Sequence, residues 1–316
     1  MTRSNFSGPG SRLGIGTYTL FAGLFLFLSA LALFIYGTRI ETRRFRLEKL
    51  KVKSCRQLAK NDSGGNGQLP RTLRILHISD LHLQERDHKK VEFIRAITDD
   101  DYDMVVLTGD IFQFSKSFDF GPFLLSRKPR LGAYAVFGNH DYYDYSLVNK
   151  TIGRIFRGMR QPDIRKDVSP HRRALEAGGF TVLVNECHIL PEENIFIAGL
   201  DYPGIKQEDL DVLMQKSDSL GEDQLKLALF HLPWRLERLT AAGFDMVFGG
   251  HTHGGQIRLP GFGAIITDSE LHRSEASGLL KRGNTYFHIS RGLGADPRSN
   301  LRLFCPPAAT VIELSY

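Results

Sequence analysis

Five short apolar runs punctuate this chain, and each ends in side chains that carry oxygen or imidazole donors. LRILHI at 73–78 leads to Asp80 and His82, and MVVLT at 104–108 leads to Asp110. AYAVF at 133–137 leads to Asn139 and His140, and LKLALF at 225–230 leads to His231. DMVFG at 245–249 leads to His251 and His253. Apolar runs of this length predict buried strands. In open α/β sheets, sites form at the carboxyl ends of strands. Strand ends that deliver only Asp, Asn and His to one edge predict a metal-dependent hydrolase.

The chain between the runs supplies the crossovers. Val91, Ile94 and Ile97 predict a helix over 88–98. Ser169 and Pro170 predict a helix start, and Gly178-Gly179 its end. Residues 180–184 and 195–198 predict strands of a second sheet, 286–290 a further strand, and 309–314 a last strand closing the structure. No internal repeat is visible.

At the N-terminus the pattern changes. No charged residue lies between Arg12 and Arg39, and 13–36 is dense in Leu, Phe, Ala and Ile. That is enough to cross a bilayer, which takes about 20 residues. Basic residues crowd 39–56, from Arg39 to Arg56, with only Glu41 and Glu48 opposed. The positive-inside rule then puts the catalytic part on the cytoplasmic face. The competing reading is a cleaved signal peptide with Ala30-Leu31-Ala32 at its cleavage site. The basic collar could add about 1 kcal/mol of attraction per residue near anionic lipid, or simply set topology. Residues 61–67 are a flexible linker by composition, and the first catalytic strand starts near Thr72. The organisation expected is a tail (1–12), a transmembrane helix (13–38), a juxtamembrane segment and linker (39–71) and a catalytic domain (72–316).

The donor set decides the chemistry. Asp80, His82, Asp110, Asn139, His231, His251 and His253 offer oxygen and imidazole, with no Cys nearby. Such ligands favour Mn, Fe, Zn or Mg over a structural zinc cage. Seven donors suit two ions sharing a bridging carboxylate, for which Asp110 is the natural choice. Two ions roughly 3.5–4 Å apart clamp the attacking and leaving oxygens of a displacement at phosphorus. Adjacent Asn139 and His140 diverge, so a metal-bound Asn139 leaves His140 free to protonate the leaving group. Asp141 is then placed to hold the His140 ring. His77, His88, His171, His188, His272 and His288 read as packing or surface residues.

The ordered series Asp80-x-His82, Gly109-Asp110, Gly138-Asn139-His140-Asp141, His231 and Gly250-His251-Thr252-His253 resembles the calcineurin-like metallophosphoesterases over 74 to about 315. The resemblance implies an α/β fold of four layers: two mixed sheets packed as a sandwich and flanked by helices. It also implies that Asp80, His82, Asp110 and His253 hold one divalent ion, and that Asp110, Asn139, His231 and His251 hold another, with Mn2+ the expected metal.

Three further features bear on substrate. Phe112, Phe114, Phe118, Phe120, Phe123, Leu124 and Leu125 crowd 112–130, where they could pack as a core or line an acyl cleft. Residues 146–160 have a basic amphipathic pattern with Arg154 and Arg157, suited to a membrane surface, to phosphate, or to ordinary packing. Arg291 follows a strand and is a candidate phosphate contact, since Arg pairs well with phosphate oxygens. Net charge is +6, but much of the excess sits in the collar and no nucleic-acid motif appears, so nucleic acid is not expected as a partner. Cysteines at 55, 187 and 305 form no CxxC, which argues against a disulfide framework.

The chain is also similar to bacterial membrane-associated phosphohydrolases, a group that includes enzymes cleaving UDP-diacylglucosamine to lipid X and UMP in lipid A synthesis. That resemblance implies the bilayer and an acylated nucleotide-sugar as partners. A broad phosphodiesterase or phosphomonoesterase, and a non-catalytic tethered binding module, remain as alternatives.

Overall fold

Alternation within the apolar runs decides which side chains meet, because successive residues of a strand face opposite ways. The computed structural model describes residues 15–54, 71–145, 163–202, 204–221, 223–296 and 299–316. In chain order the first strands are β1 (Arg46–Lys53), β2 (Thr72–Ile78), β3 (Met104–Thr108) and β4 (Ala133–Val136). A short pair, β5 (Tyr143–Asp144) and β6 (Ile164–Arg165), precedes β7 (Phe180–Val182), β8 (Glu186–Leu190) and β9 (Ile195–Gly199). Then come β10 (Leu225–Leu229), β11 (Met246–Gly249) and a small hairpin of β12 (Arg258–Leu259) and β13 (Gly263–Ala264). The chain ends with β14 (Gly278–Arg282), β15 (Thr285–Ile289) and β16 (Ala308–Ser315).

Two six-stranded sheets result, in the orders β1-β16-β2-β3-β4-β7 and β14-β15-β11-β10-β9-β8. Both are mixed. In the first, β2, β3, β4 and β7 run parallel and β16 opposes β2; in the second, β9, β10, β11 and β15 run parallel between two antiparallel edges. Leu73, Ile75, Met104 and Val106 of the first sheet pack on Ile197, Leu227, Met246 and Phe248 of the second. The opposite faces receive helices. Val91, Ile94 and Ile97 of His88–Thr98 and Leu175 of Ser169–Ala177 cover the first sheet. Leu210, Leu213, Leu236 and Leu239, from helices Gln207–Ser217 and Leu236–Ala241, cover the second. The four layers are therefore helix, sheet, sheet, helix. A fully buried Leu or Ile contributes roughly 1.5–3 kcal/mol, and both sheets are apolar on both faces.

Several elements differ from expectation. Residues 46–53 are not a free collar: β1 pairs in parallel with β16 along its whole length, from Arg46 opposite Ala308 to Lys53 opposite Ser315. Val52 is buried in the sandwich core and Leu50 packs beside it, while Lys49, Lys51 and Lys53 point to solvent. Lysines on an edge strand block further pairing, so the basic run does work within the sheet. The expected start near Thr72 therefore omits one strand of the catalytic fold. β7 joins the first sheet beside β4, not the second. β16 lies inside the first sheet rather than closing the structure.

The N-terminal helix Ile15–Ile35 continues through a π turn (Tyr36–Ile40) and a 3-10 turn (Glu41–Arg43), past the expected end at 38. Tyr18–Arg43 is long and apolar enough to cross a membrane, with a mean hydropathy of 2.3 in its most apolar window. Its large side chains, including Phe25 and Leu26, are exposed, until Gly37 and Glu41 enter the domain. A Cβ on Gly37 would lie 2.5 Å from Leu301 Cδ1 and 2.7 Å from the Arg302 carbonyl oxygen. Glu41 Oε1 accepts the Cys305 N–H at 2.5 Å.

Within 112–130, Phe112 and Leu124 are buried, and Phe118, Phe120 and Leu125 pack against the helix-side core. Only Phe114 and Phe123 stand out in solvent, so packing takes most of that segment. The tail at 1–12, the linker at 61–67 and the amphipathic segment at 146–160 lie outside the described residues.

Candidate metal centre

Parallel β2, β3 and β4 in one sheet and β10 and β11 in the other end at a common edge, and each releases its polar residues there. The chain must turn sharply as it leaves each strand. Asp80, His82, Asp110, His251 and His253 all have positive φ, between 42° and 69°. This region is unfavourable for residues with a Cβ and costs on the order of 1–3 kcal/mol each. Backbone bonds hold the turns: Asp80 N–H to Gly109 O at 3.0 Å, His82 N–H to Asp110 O at 2.9 Å and Gly294 N–H to Asp80 O at 2.6 Å. Gly109 is required beside them, because a Cβ there would sit 2.5 Å from His231 Nδ1 and 2.7 Å from Gly138 N.

The side chains gather in two trios, Asp80–His82–His253 and Asp110–His231–His251, each with its donor atoms within 4.8 Å of one another. His82 Nε2 faces His253 Nε2 at 3.2 Å. His231 Nε2 lies 3.3 Å from His251 Nδ1, and Asn139 Oδ1 is 3.1 Å from the former and 2.9 Å from the latter. Asp110 Oδ2 spans the trios, 3.5 Å from His82 Nε2 and 3.3 Å from His231 Nε2. Basic nitrogens aimed at each other beside carboxylates are a poor arrangement on their own. A dication among them resolves it, and the donor set fits hard-to-borderline metals.

Protonation reflects the crowding. Burial lowers the pKa of His231, but the Asp110 carboxylate outweighs it and raises the value to about 9. Burial also works against the charge of Asp110, yet His231, His140 and His82 hold its pKa well below the usual carboxylate range. Asp80 is raised to about 7 by burial, eased by His231 and reinforced by Asp110. His251 falls to about 4 through burial and the charge of His231. His231 thus keeps its proton beside Asp110 in neutral solution, while Asp80 is about half protonated there.

A family model for the calcineurin-like phosphoesterases matches residues 73–255. The chain belongs to this family. The metallophosphoesterase YkuE of Bacillus subtilis is 29% identical over 252 residues, covering 76% of this chain and 78% of the relative. The phosphodiesterase YaeI of Escherichia coli is 29% identical over 216 residues, covering 67% and 70%. The UDP-2,3-diacylglucosamine pyrophosphatase LpxG of Chlamydia muridarum is 30% identical over 283 residues, covering 77% and 84%. The protein is a calcineurin-like metallophosphoesterase, a hydrolase of phosphate esters that depends on divalent metal.

Within this phosphoesterase site, His140 lies against the first trio, its ring 4.9 Å from that of His82. Its backbone N–H donates to Asp110 Oδ1 at 2.7 Å, so it also fixes the shared carboxylate. Asp141 takes a role that differs from the one expected. Its carboxylate accepts the N–H groups of Asp110 and Gly138, both at 2.8 Å, and of Ile111 at 3.0 Å. These bonds tie the loops after β3 and β4 together; the short side chain sits beneath the backbone, on the side of His171, whose Nε2 is 3.9 Å away. Arg291 is committed to an ion pair with Glu48 of β1, which the expectation of a phosphate contact did not include. Arg154 and Arg157 lie outside the described residues.

Several residues around the metallophosphoesterase centre had no signal in the sequence. Ser79 Oγ lies 2.5 Å from Asp80 Oδ2 and 2.8 Å from Thr108 O. The Tyr145 hydroxyl is hydrogen-bonded with Asn139 and Tyr202. Arg302 is fully buried. It donates to Gly294 O at 2.8 Å, Arg291 O at 2.6 Å and His253 O at 3.3 Å, and lies 3.3 Å from His253 Nδ1. His77 and His288, expected to pack, meet Nδ1 to Nδ1 at 2.7 Å, and His77 Nε2 reaches Thr108 Oγ1 at 2.8 Å.

Proposed function

We propose that this protein is a membrane-anchored pyrophosphate and phosphodiester hydrolase, and that its substrate is UDP-2,3-diacylglucosamine, cleaved to UMP and the acylated sugar phosphate. The observation that carries the reading is the position of Asp110, whose one carboxylate oxygen lies within 3.5 Å of nitrogens in both trios. Asp80, His82, Asp110 and His253 would hold one cation, and Asp110, Asn139, His231 and His251 the second, with Mn2+ the metal of choice. Two such cations polarise phosphoryl oxygens and lower the pKa of water towards about 7.

The chain's own residues do the rest. Water, giving up one proton to solvent, attacks one phosphorus, and the P–O bond opposite breaks. His140, adjacent to His82 and outside both trios, gives its proton to the departing phosphate oxygen. Asp141 fixes the loops on which Asp110 and His140 stand. The apolar helix and the relatedness to LpxG support an acylated substrate, and the basic residues after the helix support a catalytic domain on the cytoplasmic face.

The test is direct. Purified protein with Mn2+ is assayed against UDP-2,3-diacylglucosamine in detergent and against bis-p-nitrophenyl phosphate. Release of UMP supports the proposal. Hydrolysis of the soluble diester alone rejects the lipid substrate and leaves a broad phosphodiesterase, a reading that relatedness to YaeI favours.

A further inference from the structure

A groove of about 890 Å³ runs between the end of the N-terminal helix and the first trio. Phe34, Thr38 and Arg39 line it on the helix side, and His82 lines it at the metal edge. It is therefore continuous from the apolar helix to a candidate metal ligand. Its walls are unequal in charge. Arg39, Arg43, Arg86 and Lys89 line it with exposed side chains, and among the described residues none of the four is in an ion pair. The acid in the lining, Asp87, is already held by Lys90 at 2.9 Å. Phe45, stacked on Phe93 with centroids 5.3 Å apart, gives the groove an apolar wall.

Four cations without an ion pair among the described residues, beside a site for two dications, make a place for more negative charge than the reacting phosphate alone supplies. The groove's other end opens beside Phe34, and Leu31 and Phe27, three and seven residues before it on the same helix face, continue the exposed apolar surface. A cationic lining beside an apolar helix surface suits an amphiphile. The π turn at Tyr36–Ile40 sets the angle: Gly37 presses on the chain at Arg302, with Arg302 N–H donating to Gly37 O at 3.2 Å. The helix end is thus fastened to the loop that backs His253, and the groove between them is a built feature of the fold.

We infer that this groove seats the head group of an acidic lipid, held between Arg39 and Arg43 on one side and Arg86 and Lys89 on the other. Its acyl chains leave past Phe34 along the helix. The inference rests on the phosphohydrolase reading for what happens at His82, but the groove is tested without turnover. Full-length protein in detergent micelles receives phosphatidic acid carrying a diazirine near the glycerol, and the labelled peptides are mapped after irradiation. Phosphatidylcholine with the same diazirine reports general contact of the helix with lipid.

Phosphatidic acid is expected to label 82–90 and 293–296 in preference to phosphatidylcholine. The double variant Arg39→Ala/Arg43→Ala is expected to lose at least fivefold of that labelling, and Arg39→Lys/Arg43→Lys to keep most of it. Both arginines are exposed, and a thermal unfolding curve checks that each variant is folded. Equal labelling by the two lipids, label confined to the helix, or no loss in the alanine variant overturns the inference. Labelling as expected without release of UMP from UDP-2,3-diacylglucosamine would keep the groove and remove the proposed substrate; the reverse would keep the substrate and remove the groove.

Discussion

All three members of the first trio, Asp80, His82 and His253, stand on backbone with positive φ; in the second, Asp110 and His251 do but His231 does not, nor does Asn139 beside it. The first trio is shaped by its main chain. Its strained turns are pinned by bonds among the loops after β2, β3 and β15, and Arg302 fills the space behind His253 with donors to carbonyl oxygens. The second trio shares such turns at Asp110 and His251, but His231 and Asn139 are held by side-chain bonds. His231 bonds Thr108 O at 2.8 Å through Nδ1, and Asn139 Oδ1 faces both histidines. Similar donors are thus held in different proportions, the first trio more by its main chain and the second more by side-chain bonds around the charge of Asp110. The comparison predicts that the first trio responds to changes in its supports and the second to pH.

The largest effect belongs to the residue the two halves share. Asp110→Asn removes the charge that spans both trios. A decrease in kcat/KM of about 10³-fold or more is expected, on the scale seen when one preorganised charge-stabilising group is lost. Elemental analysis should find fewer than two metals per chain. Two retained metals with near-normal turnover would dissolve the idea of a shared carboxylate. His140→Ala comes next. It should keep both metals and lose about 10²–10⁴-fold in kcat, the usual range for a general acid. A leaving group that needs no proton, such as p-nitrophenolate, should suffer much less. Equal losses on both substrates would assign His140 to structure.

Much of this geometry is legible in the sequence because strand ends are. An apolar run followed by Asp or His declares both the strand and the edge to which it delivers. The three-residue spacing of Val91, Ile94 and Ile97 likewise puts them on the buried face of a helix. What the sequence hides is long-range pairing. Leu50-x-Val52 carries the period of a strand, but its partner is β16, more than two hundred residues away, and the surrounding lysines read more readily as a collar. β7 shows the same limit, since a strand's spacing does not name its sheet. Asp141 sits beside His140 in sequence, yet its bonds go to backbone N–H groups of two loops, which adjacency cannot reveal. Arg302 is invisible for a different reason. A lone Arg near a chain end looks like surface until the fold buries it against carbonyls.

Ser79→Ala sharpens the contrast at smaller scale. Ser79 Oγ touches Asp80 Oδ2 and Thr108 O, and accepts from Thr108 Oγ1 at 2.8 Å. Removing such an outer support typically weakens metal affinity by about 10–100-fold. The loss should fall on the first site, leaving the second within about twofold. Competitive titration with a chelator separates the two by stoichiometry. A loss shared equally would mean that the trios are one mechanical unit.

pH gives the mildest and most selective test. A cation at the first site must displace the proton of Asp80, whose pKa is raised from 3.8 to about 7. Affinity there should rise about tenfold per pH unit up to 7 and then level. At the second site the proton is on His231, raised from 6.5 to about 9, so the rise should continue towards pH 9. The metal-free fold feels the same protons. The raised His231 pKa adds stability that is complete below about 6.5 and is lost as pH climbs through about 9. The raised Asp80 pKa has the other consequence for a carboxylic acid: it costs stability from about pH 4 upward, in full once pH passes about 7. Metal-free protein should therefore melt lower at pH 8 than at pH 6, and metal should rescue it more at pH 8. Calorimetric titration in buffers of different ionisation enthalpy counts the protons released. At pH 8 the second site should release close to one proton and the first almost none. Equal release from both would erase the distinction between a site built by backbone and a site built by charge.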